Sequence, residues 1–187
     1  MRAPCPAIEF PTVRFRFPAV VALSALLAGG CGGEKKPSDA QGIPIGFFGA
    51  LSGPQATFAL SGKNGAKLAA DQLNRAGGVL GRPLELLVED DHNEPSEAAS
   101  AVSKLITRDH VVTLIGENAS SRSLAAAPIA QTYQVPMISP SSTNVEVTRK
   151  GDYIFRVCFI DSAQGRALAL FARKDLHAAT AALLRLL

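Results

Sequence analysis

An α/β fold built on a doubly wound parallel sheet is what this sequence predicts, on two observations. Short, near-continuously apolar runs recur along the chain, and stretches with the 3.6-residue period of amphipathic helices separate them. The links between the two kinds of segment are short, as right-handed βαβ units require.

The apolar runs are IPIGFF (43–48), LELLVE (84–89), VVTLIG (111–116), VPMIS (135–139) and YIFRVC (153–158). They are β-branched or aromatic and lack strict alternation, which suits strands covered on both faces. Between the first two, Ala66, Ala69, Ala70 and Leu73 give a helical stripe over 59–76, and Gly77-Gly78 supplies the stop. Over 95–109 the stripe is Ala98, Val102, Leu105 and Ile106, with Pro95 where a first-turn proline belongs. A third helix, about 122–133, contains Pro128 and is expected to start late or to kink. A fourth opens at Asp161 with Gln164 three residues on, a capping-box arrangement.

The length of 187 residues allows one domain, or one plus a fragment. Hydrophobic residues make up 47% and charged residues 19%, the balance of a globular chain rather than a disordered one. Nineteen Lys and Arg against sixteen Asp and Glu give +3, too small a charge for a nucleic-acid partner. Three cysteines and three histidines, all scattered, leave no disulfide framework and no zinc module.

Residues 1–30 read as a lipoprotein signal peptide. Arg2, Arg14 and Arg16 form a basic leader, and AVVALSALLA (19–28) is an apolar core. Ten residues fall short of the roughly 20 that span a bilayer but fit the middle of a secretory signal. Leu27-Ala28-Gly29-Gly30-Cys31 resembles a bacterial lipobox, in which a lipid is joined to the Cys31 thiol and the chain is cut before it. The plainer alternative is an ordinary signal peptide with Cys31 incidental. Residues 31–41 continue as GGEKKPSDAQ after Cys31, a polar, flexible tether.

Parallel α/β sheets bind ligands beyond the carboxyl ends of their strands. There the third run is followed by Gly116-Glu117-Asn118-Ala119-Ser120-Ser121 and the fourth by Pro140-Ser141-Ser142-Thr143-Asn144. The first cluster lies at a helix N-terminus, where free N–H groups and the helix dipole favour an anion. A small carboxylate or phosphate is the natural guest. The competing reading is that these hydroxyls only cap helices and make turns. Enzyme signatures are missing: no serine stands in G-x-S-x-G, and no H-E-x-x-H occurs. Neither Gly62-Lys63 nor Gly77-Gly78-Val79-Leu80-Gly81 makes a phosphate-binding loop, and the second reads as a turn. Glu89-Asp90-Asp91-His92-Asn93-Glu94 is metal-like in composition but reads as a solvated loop before a helix. No enzyme, metal or cofactor is expected.

Several motifs together resemble the periplasmic leucine/isoleucine/valine-binding family. They are Gly49-Ala50-Leu51-Ser52-Gly53-Pro54, the stretch from Asp71 to Gly78, Met137 to Asn144, and Asp161-Ser162-Ala163-Gln164-Gly165. The resemblance runs in one register from about residue 42 to Ala178. It implies the substrate-binding component of an ABC importer for branched-chain amino acids or related small amides and carboxylates. It also implies permease partners and a location in the periplasm or at the cell surface, and the lipobox reading of Cys31 adds attachment to the membrane through a lipid anchor. By position, Ser120 and Thr143 match the residues that hold the ligand carboxylate, with Ser121 beside them. Ser141 and Ser142 match the stretch whose backbone carbonyl accepts from the ligand ammonium. Phe58 falls where the branched-chain binders carry a tyrosine lining the side-chain pocket. Asn93 and Ala119 stand where some relatives carry a disulfide, so both partners are absent together.

The resemblance implies a first ligand-binding lobe over 42–160 and the start of a second, largely missing lobe over 161–187. The family is about twice this length, and the end of the chain reads as an Ala/Leu-rich helical extension where relatives begin a strand. A truncated, functionally impaired frame is the expectation. Two other functions are compatible with the residues: an extracytoplasmic ligand-sensing domain of a signalling system, and an anchored interaction module without a small ligand.

Overall fold

A computed structural model describes residues 41–182. Strands β1 (Ile43–Gly49), β2 (Leu84–Asp90), β3 (Thr113–Ile115), β4 (Met137–Ser139) and β5 (Ile154–Arg156) form one sheet in the order β2-β1-β3-β4-β5. Every neighbouring pair is parallel. Helix α1 (Ala56–Arg75) crosses from β1 to β2, α2 (Pro95–Thr107) from β2 to β3, and α3 (Ser120–Thr132) from β3 to β4. The winding reverses direction between β2 and β3, so right-handed crossovers put α1 on one face and α2 and α3 on the other. Helix α4 (Asp161–Lys174) follows β5.

The strand pleat assigns consecutive phenylalanines to opposite faces. Phe48 joins the core between the sheet and α2 and α3, with Leu114, Met137, Val102, Leu105 and Ala126. Phe47 lies under α1, where a Cβ on Gly62 would sit 3.7 Å from its ring. Both rings are fully buried. Each contributes about 1.5–3 kcal/mol of transfer free energy.

The expected face of α1 is rotated. Ala70 is buried, but Ala69 and Leu73 are exposed, and Ala59 is the other buried residue of the helix. Asn74 explains the rotation: its side-chain amide donates to the Leu84 carbonyl at 2.9 Å and accepts from the Leu84 N–H at 2.6 Å. A polar clamp onto β2 thus sets the face that Leu73 was expected to set. The Gly77-Gly78 stop forms as expected, with the Gly78 N–H on the Leu73 carbonyl at 2.9 Å. Gly78 has φ +75°, and a Cβ there would lie 2.1 Å from the Arg82 carbonyl oxygen.

Other boundaries shift for identifiable reasons. Strands β3, β4 and β5 have three residues each, shorter than their apolar runs. Pro136 has no N–H to extend the ladder at the start of β4. Helix α3 begins at Ser120 and continues through Pro128. The capping box at Asp161 is corrected: Ile160 is the N-cap, no side chain caps the helix, and the Asp161 N–H donates to the Thr143 carbonyl at 3.1 Å. The helical extension is corrected over its described part, because α4 ends at Lys174 and 179–182 is not helical. Residues 1–40, with Cys31 and most of the tether, and 183–187 lie outside the described residues.

Candidate functional site

The loops after β1 and β3 flank the point where strand order reverses, the place such sheets offer a ligand. A cavity of about 340 Å³ opens there, lined by Pro54, Gln55, Phe58, Asn118, Ala119 and Ser141. Phe58 projects from the first turn of α1 and is 72% exposed. An aromatic ring so placed is an apolar wall waiting for a partner.

Glu117 organises the loop after β3. Its backbone carbonyl accepts from three buried hydroxyls: Ser139 at 2.7 Å, Ser142 at 2.9 Å and Ser123 at 3.1 Å. Its carboxylate accepts from the Ala50 N–H at 3.2 Å and from the Ala119 N–H. Gly116, just before it, has φ +133°, and a Cβ there would lie 2.1 Å from the Phe48 carbonyl oxygen. Only glycine lets β3 turn so close to β1.

Arg122 lies behind this loop with a side chain only 4% exposed. Its Nε is 3.2 Å from the Glu117 carboxylate and 3.7 Å from that of Asp91. Its two terminal nitrogens donate to Asn93 Oδ1 at 2.8 Å and to Gln55 Oε1 at 2.6 Å. One guanidinium therefore ties together the loops after β1, β2 and β3. The solvated-loop reading of 89–94 is corrected at Asp91, which is fully buried. Burial, reinforced by Glu117 and only partly offset by the Asn93 N–H and Arg122, pushes the Asp91 carboxyl up to about 6. At Asp90 burial acts in the same direction but is outweighed. N–H groups of His92 and Leu51, the Ser52 hydroxyl and His92 itself hold that carboxyl below its ordinary value.

Ser52, His92 and Asp90 make an exposed Ser-His-Asp grouping that the sequence did not single out. Ser52 Oγ is 3.1 Å and Asp90 Oδ2 3.3 Å from the same ring nitrogen, His92 Nδ1. A relay needs one partner on each nitrogen, so this grouping lacks the geometry of nucleophilic catalysis. Among the described residues no cluster of metal-ligating side chains is present, and no helix is long and apolar enough to cross a membrane.

The expected site residues divide into two sets. Ser120 is the first residue of α3; it makes no side-chain cap, and its Oγ accepts the Asn144 N–H at 3.2 Å. Ser121 is exposed, and Thr143 is half-buried with its carbonyl on the Asp161 N–H. The N–H groups of Ser120, Ser121 and Thr143 meet no acceptor among the described residues. Ser141 reaches across to the Asn118 carbonyl at 2.9 Å and lines the cavity, while its own carbonyl is free among the described residues. Ser142 takes part in the scaffold beneath the loop. It is fully buried, its Oγ bonds Glu117 and Ser123, and its carbonyl accepts from Arg156 at 2.9 Å. The same Arg156 also holds the carbonyls of Asn144 and Val145 and the Thr148 hydroxyl, fixing the loop that carries Ser141 and Thr143. Cys158 packs against the Ser142 carbonyl at 3.4 Å.

The scaffold roles of Glu117, Arg122 and Arg156 go beyond what the sequence predicts. An arginine inside the apolar run YIFRVC was the available signal for Arg156. Nothing local in the sequence marks Glu117 and Arg122 as buried, because their partners are distant in the chain.

Comparison with known proteins gives a consistent result. The family described as "Periplasmic binding protein" matches residues 42–186. The leucine-specific-binding protein of Salmonella typhimurium is 35% identical over 133 residues, which is 71% of this chain and 36% of that protein. In structure, the branched-chain amino acid transporter substrate binding protein LivJ from Streptococcus pneumoniae, in complex with isoleucine, superposes with a TM-score of 0.71 at 36% identity. That match covers 74% of this chain and 40% of the other. A solute binding protein of an ABC transporter from Rhodopseudomonas palustris, in complex with 3,4-dihydroxy benzoic acid, gives 0.66 at 26% identity over 71% and 36% of the two chains. The chain spans about a third of the length of the curated relatives it matches.

Proposed function

The chain belongs to the periplasmic binding protein family, and from that premise we propose that it supplies one wall of the solute site of an ABC importer's substrate-binding component. The solutes are branched-chain amino acids or related small amides and carboxylates, and the protein works outside the cytoplasm with permease partners. The observation that carries this reading is the group of N–H donors at Ser120, Ser121 and Thr143 that have no acceptor among the described residues, beside a cavity at the reversal of strand order. Free N–H groups at the start of a 13-residue helix, aided by its dipole, suit a carboxylate.

In this reading the carboxylate takes the N–H groups of Ser120, Ser121 and Thr143 and the hydroxyls of Ser120 and Thr143, the Ser120 O–H donating while its oxygen accepts the Asn144 N–H. The ammonium donates to the Ser141 carbonyl, since that of Ser142 is occupied by Arg156. The ligand side chain lies along Phe58. Residues 42–160 form the first lobe and 161 onward begins the second, with 1–30 as signal peptide, 31–41 as tether and Cys31 as lipid anchor. The relatives named above are binding proteins by their names, and the site offers anchoring groups rather than an acid, a base or a nucleophile in relay.

The test is a titration of the full chain with L-leucine. A hydrogen bond to a charged group contributes about 1.5–3 kcal/mol, roughly ten- to a hundredfold in affinity. Thr143→Val should weaken binding by about that factor, and Ser120→Ala similarly, whereas Ser100→Ala on α2 should change nothing. Equal affinities for all four proteins would contradict the reading.

A further inference from the structure

The link between Arg122 and Gln55 fixes more than the loops. Arginine carries five donors and no acceptor, so the end of the Gln55 amide that faces it must be the oxygen. Gln55 Oε1 sits 2.6 Å from the guanidinium of Arg122, which is itself 4% exposed and anchored by Glu117 and Asn93. With Oε1 committed to Arg122, the polar group that the Gln55 side chain has left for a solute in the cavity it lines is Nε2, a donor only. Beside it stands the Phe58 ring, 72% exposed.

We propose that Gln55, held in this orientation by Arg122, is a specificity-determining donor, and that the favoured solute carries a neutral carbonyl oxygen on its side chain, as a carboxamide does. The proposal rests on the carboxylate half-site described above and names the class of solute that half-site takes. A purely aliphatic side chain leaves the Gln55 Nε2 without an acceptor when the ligand displaces water from it. A second carboxylate meets the opposite difficulty. The cluster behind Gln55 sets two buried carboxylates, Asp91 and Glu117, against one guanidinium, so its field opposes a further negative charge. A carboxamide accepts from Nε2 without adding charge, and its methylenes cover Phe58. Arg122 acts as a positioning residue that never touches the solute.

The experiment is a set of NMR titrations of the nitrogen-15-labelled full chain with acetate, L-leucine, L-glutamate and L-glutamine. The Gln55 side-chain NH₂ pair is assigned by its loss in Gln55→Met. Acetate should shift the backbone amides of Ser120, Ser121 and Thr143 and leave the Gln55 NH₂ unmoved. L-Glutamine should shift both sets and bind about tenfold more tightly than L-leucine or L-glutamate, the worth of one satisfied hydrogen bond. Gln55→Met should abolish that tenfold preference while acetate binds as before. Arg122→Lys, with one ammonium in place of the fork, should narrow the preference and broaden the NH₂ pair; if that variant does not fold, Gln55→Met decides alone. Equal affinity for glutamine and leucine, or a preference that survives Gln55→Met, overturns the proposal. A response to glutamine at Gln55 with none to acetate at Ser120, Ser121 and Thr143 overturns the half-site and leaves the Gln55 donor standing. No response at either place overturns both.

Discussion

Ser139 shows how tightly single residues are committed beneath the cavity. Its hydroxyl donates to the Glu117 carbonyl at 2.7 Å and accepts the Ser142 N–H at 3.0 Å, and all three residues are fully buried. Ser139→Ala strands that buried N–H, so chemical denaturation should register a loss of about 1–3 kcal/mol. A loss under half of the lower figure would mean that the hydroxyl network is not under load. Asp91 makes a second prediction through pH. Its folded pKa of about 6 lies above the ordinary 3.8. The folded protein therefore keeps a proton there that the unfolded chain has released. The stabilisation is fully present below the unfolded value and is lost as pH rises through about 6, at up to about 1.4 kcal/mol per pH unit. Asp91→Asn does not titrate and keeps an oxygen for the Asn93 N–H, which Asp91 binds at 3.1 Å. In urea denaturation, the stability of the variant relative to the parent should rise between about pH 4 and pH 6 and then level off; a pH-independent difference would contradict the burial argument. The hydroxyl clusters were legible in the sequence because they follow apolar runs. The buried charges beneath them were not, since Asp91, Glu117 and Arg122 lie beyond the ends of different strands and meet only once the crossovers through α1 and α2 have folded.

At the scale of elements, periodicity located the five strands and four α-helices of the described residues but missed several of their ends. The apolar runs overshoot β3, β4 and β5 because hydrophobicity reports burial, whereas the ladder stops where Pro136 lacks its N–H or the strand reaches the sheet edge. Helices α2 and α4 start at Pro95 and Asp161 as expected, whereas α1 starts at Ala56 and α3 at Ser120, a little before the expected positions. Backbone contacts to neighbouring loops, as from the Asp161 N–H to Thr143, replace the side-chain caps that a local reading expects. Two glycines separate local from tertiary demands. Gly65, inside α1, has nothing within 4 Å of its Cβ position, so Gly65→Ala should stabilise by about 0.5–1 kcal/mol. Gly116→Ala drives a Cβ to 2.1 Å from the Phe48 carbonyl oxygen at a φ of +133°. That change should cost more than about 4 kcal/mol, the range of severe core lesions. Thermal melts of the two variants should move in opposite directions, and a Gly116→Ala protein with unchanged stability would refute the close approach of β3 to β1.

Over the whole molecule, the account joins a proposed anchor at Cys31 to a ligand-facing lobe through a polar tether. Burying acyl chains contributes about 0.8 kcal/mol per CH₂, and more than one chain holds firmly. In a lipidating host the protein should enter the detergent phase, and Cys31→Ser should move it to the aqueous phase; an aqueous partition with Cys31 intact would remove the anchor. Helix α4 has no buried residue, and Val157, Phe159, Leu168 and Phe171 are exposed around it; under the proposed function this part of the chain is one wall of the solute site. The carboxylate half-site on that wall is the central claim. An acetate titration of the nitrogen-15-labelled full chain, read amide by amide, tests it most directly. The account predicts saturable downfield shifts at Ser120, Ser121 and Thr143, the three donors with no acceptor among the described residues, with Ser100 on α2 unmoved; saturation with those three amides stationary, or shifts confined to other surfaces, would contradict it.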